Sequence, residues 1–121
     1  MNGQQQRQWA EAIENARRQA LSRPSCPKDW GATLEDAYSV QRLGLLHRPD
    51  DAVMGFKGAL TNQRVQATFG ATEPALGLLF ASSARPARVI QSADFAKGMI
   101  ETELGFMLSR RITAPIESVS E

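Results

Sequence analysis

The sequence predicts an α+β chain with its helices first and its strands gathered late. Two observations carry this. Apolar residues recur at helical spacing as far as His47, and after Pro49 the apolar period shortens to two. With 121 residues the chain has the length of one domain, for which about 100–200 residues is usual. Hydrophobic residues make up 42%, an ordinary globular share, so a core can form without staples.

Each element has its own signal. Residues 4–21 place Trp9, Ala12, Ile13, Ala16 and Ala20 on one helical stripe, with Gln8, Glu11, Asn15 and Arg18 away from it. Residues 22–31 carry two prolines and a glycine and read as a loop. Thr33, with Asp36 three residues on, caps a second helix reaching about Leu46, whose inner side takes Leu34, Ala37, Tyr38, Gln41 and Leu45. His47, Arg48 and Pro49 close it.

Residues 53–60 then alternate as a strand, with Met54, Phe56 and Leu60 on one face and Val53, Gly55, Lys57 and Ala59 on the other. A short polar helix over 61–69 stops at Gly70, and residues 76–80 form a second strand. Residues 85–96 are ambiguous, with a strand expected around Val89. Residues 100–108 alternate most regularly: Ile100, Thr102, Leu104, Phe106 and Leu108 against Glu101, Glu103, Gly105 and Met107. Ser118 or Ser120 would cap another helix where the chain stops, so the β-rich part is expected to be incomplete. The organisation is a helical region over 1–48 followed by a β-rich region over 49–121.

Composition narrows the function. Lys and Arg number 14 against 13 acidic residues, a net charge of +1, which argues against a strongly basic nucleic-acid module. Cys26 stands alone and makes no internal disulfide or Cys-rich zinc cluster. The longest apolar run, residues 75–81, is seven residues, far below the ~18 of a membrane span. The polar start MNGQQQRQ lacks a signal peptide's apolar stretch, so a cytoplasmic protein is expected.

On the predicted strand, Glu101 and Glu103 project to one face, where two carboxylates can converge on a hard cation such as Mg2+ or Mn2+. The same spacing also suits the wet side of an antiparallel strand. Lys57 reads either as a cation beside a bound anion or as an edge-strand lysine. His47 is the only histidine and reads as a helix terminator; Cys26, between prolines, reads as a spectator. Arg85, Arg88, Arg110 and Arg111 could face an anionic substrate, but the solvated-surface reading leads.

Four segments then fall into one order: DAYSVQ at 36–41, GFKGALT at 55–61, EPALGLLF at 73–80 and IETELGFML at 100–108. Together they resemble the 2-keto-4-pentenoate hydratase and 4-oxalocrotonate decarboxylase branch of the fumarylacetoacetate hydrolase superfamily. The resemblance implies a mixed, mainly β fumarylacetoacetate hydrolase-like core after the helices, here incomplete. It also implies Mg2+ or Mn2+ held by Glu101, Glu103 and a third acidic residue beyond Glu121, with Lys57 matching the active-site lysine. The implied substrate is a small 2-keto acid of aromatic catabolism. A hydratase-like protein related to metal-dependent hydration of 2-hydroxypenta-2,4-dienoate is therefore expected, with little activity in this chain alone. The alternatives are a decarboxylase or C–C bond hydrolase of the superfamily, or a non-catalytic subunit pairing with a full-length relative or with itself. No nucleic-acid or membrane partner is expected. Two departures bear on the choice: Gly58 directly follows Lys57, shifting the glycine of the lysine motif, and Ala75 stands where hydratases often carry an acid after the proline.

Overall fold

The computed structural model describes residues 1–84, 91, 93 and 101–114. The strand expected around Val89, Ile100, and the helix start at Ser118 or Ser120 lie outside the described residues. Among those described, the order is helix α1 (Gly3–Arg18), helix α2 (Leu34–Leu45), strand β1 (Val53–Ala59), helix α3 (Gln63–Thr68) and strand β2 (Ala75–Phe80), with short 3₁₀ turns at Lys28–Trp30 and Ala81–Ser83. No described helix is long and apolar enough to cross a membrane.

Helix α1 begins because the Asn2 side chain accepts from the Gln4 and Gln5 backbone N–H groups, at 3.0 and 2.9 Å. Gln5 returns the bond by accepting from the Asn2 N–H at 2.8 Å. At α2 the predicted box forms. The Thr33 hydroxyl accepts from the Asp36 N–H at 3.2 Å, and the Asp36 carboxylate accepts from the Thr33 N–H at 3.0 Å. Asp36 also accepts from the Met1 ammonium at 3.1 Å and the Gln6 side chain at 2.8 Å, fastening the starts of the two helices together. The Thr33 backbone bond, then Gln6 and the Met1 ammonium, hold its carboxyl well below the usual carboxylate range.

The buried face of α1 differs from the apolar stripe. Ala10, Glu14 and Ala16 are buried and Trp9 and Ile13 half-buried, whereas Ala12 and Ala20 are exposed. The face is turned toward Glu14 because that carboxylate has partners. It accepts from Arg48 Nη2 at 2.6 Å, Arg48 Nε at 2.9 Å and Arg17 Nε at 2.8 Å. Burial alone would raise the Glu14 pKa; the hydrogen bonds and charges of Arg48 and Arg17 outweigh it and leave the group lowered. Arg48 also stacks over the Phe80 ring, 4.0 Å from its centroid. On α2 the buried residue is Val40, with Ala37, Tyr38, Gln41 and Leu45 half-buried beside it, while Leu34 is exposed.

Strands β1 and β2 pair antiparallel, with Phe56 opposite Leu78, Lys57 opposite Gly77 and Ala59 opposite Ala75. The outer edge of β2 is covered by α2. Tyr38 Oη accepts from the Leu76 N–H at 3.1 Å, and Gln41 Oε1 accepts from the Leu78 N–H at 3.2 Å. Between the strands, Asn62 caps α3 by accepting from the Arg64 N–H at 2.8 Å. Gly70 follows the helix at φ +66°, the left-handed geometry its position predicts. Leu60 is also left-handed, at φ 56°, and the buried Gln66 side chain donates to its carbonyl at 2.6 Å.

The strand expected over 100–108 is corrected. Residues 101–108 carry no strand and are all exposed, with Leu104, Phe106 and Met107 at 89%, 87% and 97% of full exposure. Their alternation suits a strand, but a strand also needs a neighbour to take its N–H and C=O groups and a surface to bury its apolar face. Among the described residues neither is offered to this segment. Among these residues the sheet has two strands, and the buried apolar side chains are Ala10, Ala16 and Val40.

Removing Arg48 strands a buried carboxylate, so Arg48→Met is expected to lower stability by about 3 kcal/mol in urea denaturation. The double variant Glu14→Leu/Arg48→Met should recover much of that loss. Glu14 and Asp36 both have folded pKa values below their ordinary values of 4.5 and 3.8, so each stabilises the fold above those values. Their contribution drains away as pH falls below about 4 through the lowered values. Acid titration followed by circular dichroism should show this loss, and Glu14→Gln should flatten it.

Candidate metal centre

Lys57 sits in the middle of β1, opposite Gly77 and next to Gly58, so neighbouring side chains do not crowd its stem. Its ammonium leaves the sheet toward the irregular segment 101–108. Lys57 Nζ donates to Glu101 Oε2 at 2.7 Å and lies 2.5 Å from Glu103 Oε1. All three groups are partly open to water, with Glu101 and Glu103 about half exposed. The Glu101 hydrogen bond, then that to Glu103, pushes the Lys57 pKa above its ordinary value, so the ammonium stays charged.

The three residues singled out from the sequence are thus brought together, by a route the strand argument did not foresee. On a strand, Glu103 and its neighbours Leu104 and Phe106 could not share a face. Here Glu103, Leu104, Gly105 and Phe106 all line one groove of about 920 Å3, with Met54, Phe56, Lys57 and Leu79 on the sheet side. Leu104 and Phe106, expected in the core, are walls of this groove. The signal that could have found them is their length of apolar sequence with no second strand of matching strength to pair with.

The donor set fits a hard divalent ion. Two carboxylates already converge on one cationic nitrogen, which stands where an ion would. Mg2+ takes oxygens at about 2.0–2.1 Å, so each carboxylate would close in by about half an ångström, on a segment free of sheet hydrogen bonds. Groups of three or more His, Cys, Asp or Glu arranged to hold a metal are absent among the described residues. Glu101 and Glu103 supply two carboxylates, and a divalent ion there would need its remaining ligands from elsewhere.

The other candidates lie elsewhere. The His47 carbonyl accepts from Arg18 Nη2 at 3.0 Å at the end of α2, as befits a helix terminator. Cys26 sits 3.6 Å from the Pro27 carbonyl in the loop. Arg110 and Arg111 are exposed and do not line the groove. Arg85 and Arg88 fall outside the described residues. A second cavity of about 420 Å3 lies among α1, α2 and β2, walled in part by Trp9, Arg17, Arg23 and Arg48, and holds none of the predicted site residues.

No protein-family model and no curated protein matches the chain. Among solved structures it is similar to 4-oxalocrotonate decarboxylase from Pseudomonas putida G7 complexed with calcium and acetate. Identity is 27% and the TM-score 0.62, over 68% of this chain and 33% of that one. It is likewise similar to the same enzyme complexed with magnesium and adipate, at 28% identity and a TM-score of 0.60, over 68% of this chain and 32% of that one. The chain thus spans about a third of the length of these neighbours. The likeness supports the branch that the sequence resembles and does not single out hydration. Both neighbours were crystallised with a divalent ion.

Because the Lys57 pairs are open to water, they add little to folding. Lys57→Met is expected to leave the urea midpoint nearly unchanged. A large drop would show instead that the ammonium staples segment 101–108 to the sheet.

Proposed function

We propose that the chain carries part of a divalent-metal-dependent lyase site for a small 2-oxo acid, with decarboxylation as the reaction. The observation that carries this reading is the convergence of Glu101 and Glu103 on a single cation beside a groove that Lys57 shares. Similarity to a decarboxylase supports the reaction type. Ala75 supports it too, because it offers no acid to activate a water for hydration.

In this reading Glu101 and Glu103 hold Mg2+ or Mn2+, with a further ligand from outside the described residues. The ion supplies Lewis-acid stabilisation of the enolate charge that develops at the 2-oxo oxygen. Lys57 orients the substrate by donating to a carboxylate oxygen, a charge-assisted bond. Met54, Phe56, Leu79 and Phe106 line the groove and offer apolar contact to the carbon skeleton.

Mn2+ titration followed by paramagnetic broadening of backbone amides tests the reading. Broadening is expected first at residues 101 and 103, at about millimolar Mn2+, as befits a two-carboxylate half site. Glu101→Gln or Glu103→Gln should weaken it about tenfold. Broadening centred on other acidic residues and unchanged in both variants would overturn the assignment. With 4-oxalocrotonate and Mg2+, mass analysis separates loss of carbon dioxide from gain of water, and turnover that survives both substitutions would also sink it.

A further inference from the structure

We infer that Lys57 is a place-holder for the metal: its ammonium occupies the seat between Glu101 and Glu103, and a divalent ion and the ammonium take that seat by turns. The inference rests on the metal reading above and adds an order of events to it. Both carboxylates direct an oxygen to the same nitrogen, at 2.7 and 2.5 Å, so the space between them is already filled by a cation. An ion drawing the same two oxygens closer would lie against the ammonium, and like charges at contact repel. The lysine stem is long and flexible, and the groove it lines gives its head another place to go.

Displacement reverses the local charge. Glu101, Glu103 and Lys57 together carry −2 and +1, a net −1 that repels a carboxylate. With a divalent ion added the same cluster carries +1, and the freed ammonium has lost its partners. An anionic substrate is then attracted to a groove that previously rejected it, and its carboxylate becomes the new acceptor for Lys57. Metal before substrate is the order that follows, and the lysine enforces it. Without metal, the ammonium keeps the two carboxylates together and prevents them from recruiting a stray monovalent cation.

Two measurements test this. The first compares Mn2+ affinity in the unaltered chain and in Lys57→Met, which keeps the apolar stem and removes the competing charge. The variant is expected to bind about tenfold more tightly, the scale of two exposed ion pairs that no longer need breaking. The second needs no substitution. The lysine ammonium resonances of the intact chain, recorded by nitrogen-15 spectroscopy, should lose the hydrogen-bonded Lys57 signal as Mg2+ saturates, and Glu101→Gln/Glu103→Gln should lack that signal from the start. Equal or weaker Mn2+ binding by Lys57→Met, with binding still dependent on Glu101, would overturn the place-holder role and leave the metal reading standing. So would a Lys57 signal unmoved at saturating Mg2+. Absence of Mn2+ binding in both forms would overturn the metal reading and this inference together.

Discussion

The described structure depends on how one buried carboxylate is neutralised. Glu14 is 4% exposed on α1; two hydrogen bonds from Arg48 join it to the residues that follow α2, and a third comes from Arg17 on α1 itself. Arg48 meanwhile lies flat on Phe80 at the end of β2, so a single guanidinium touches both helices' junction and the sheet. Among the described residues the buried apolar side chains are Ala10, Ala16 and Val40, so hydrophobic burial there has little volume in which to fix the angle between layers. A directional ion pair sets that geometry instead. Strand β1 leaves this junction five residues after Arg48.

Much of the local structure was legible in the sequence because its causes are local. Thr33 and Asp36 close a box across three residues, and Gly70 supplies a left-handed residue after α3; neither needs knowledge of anything distant. Strands β1 and β2 likewise form where the alternation places them. The Asn2 cap was missed because Gln at the third helical position is a weaker cue than Glu or Asp. Glu14 was missed for another reason. Its burial is caused by Arg48, thirty-four residues away, and no periodicity within α1 records that.

Residues 101–108 mark the opposite limit. Their pattern is the most regular in the chain, yet a strand is a property of a pair, and the pattern specifies only one member. Lys57 and the two carboxylates nevertheless meet without a ladder, as solvent-open ion pairs on an irregular segment. Spacing placed Glu101 and Glu103 side by side, and both carboxylates reach the Lys57 ammonium. It could not indicate that Leu104 and Phe106 would join them on the groove wall, since that follows from the irregular backbone.

The side chains of Tyr38 and Gln41 on the outer margin of β2 have a consequence for assembly. They occupy the N–H groups of Leu76 and Leu78, so at those two positions the margin has no free donor for an incoming polypeptide. A newcomer pairing beside Leu76 and Leu78 would first have to displace a phenol and an amide, a toll that the described hydrogen bonds do not place on the far side of the ribbon.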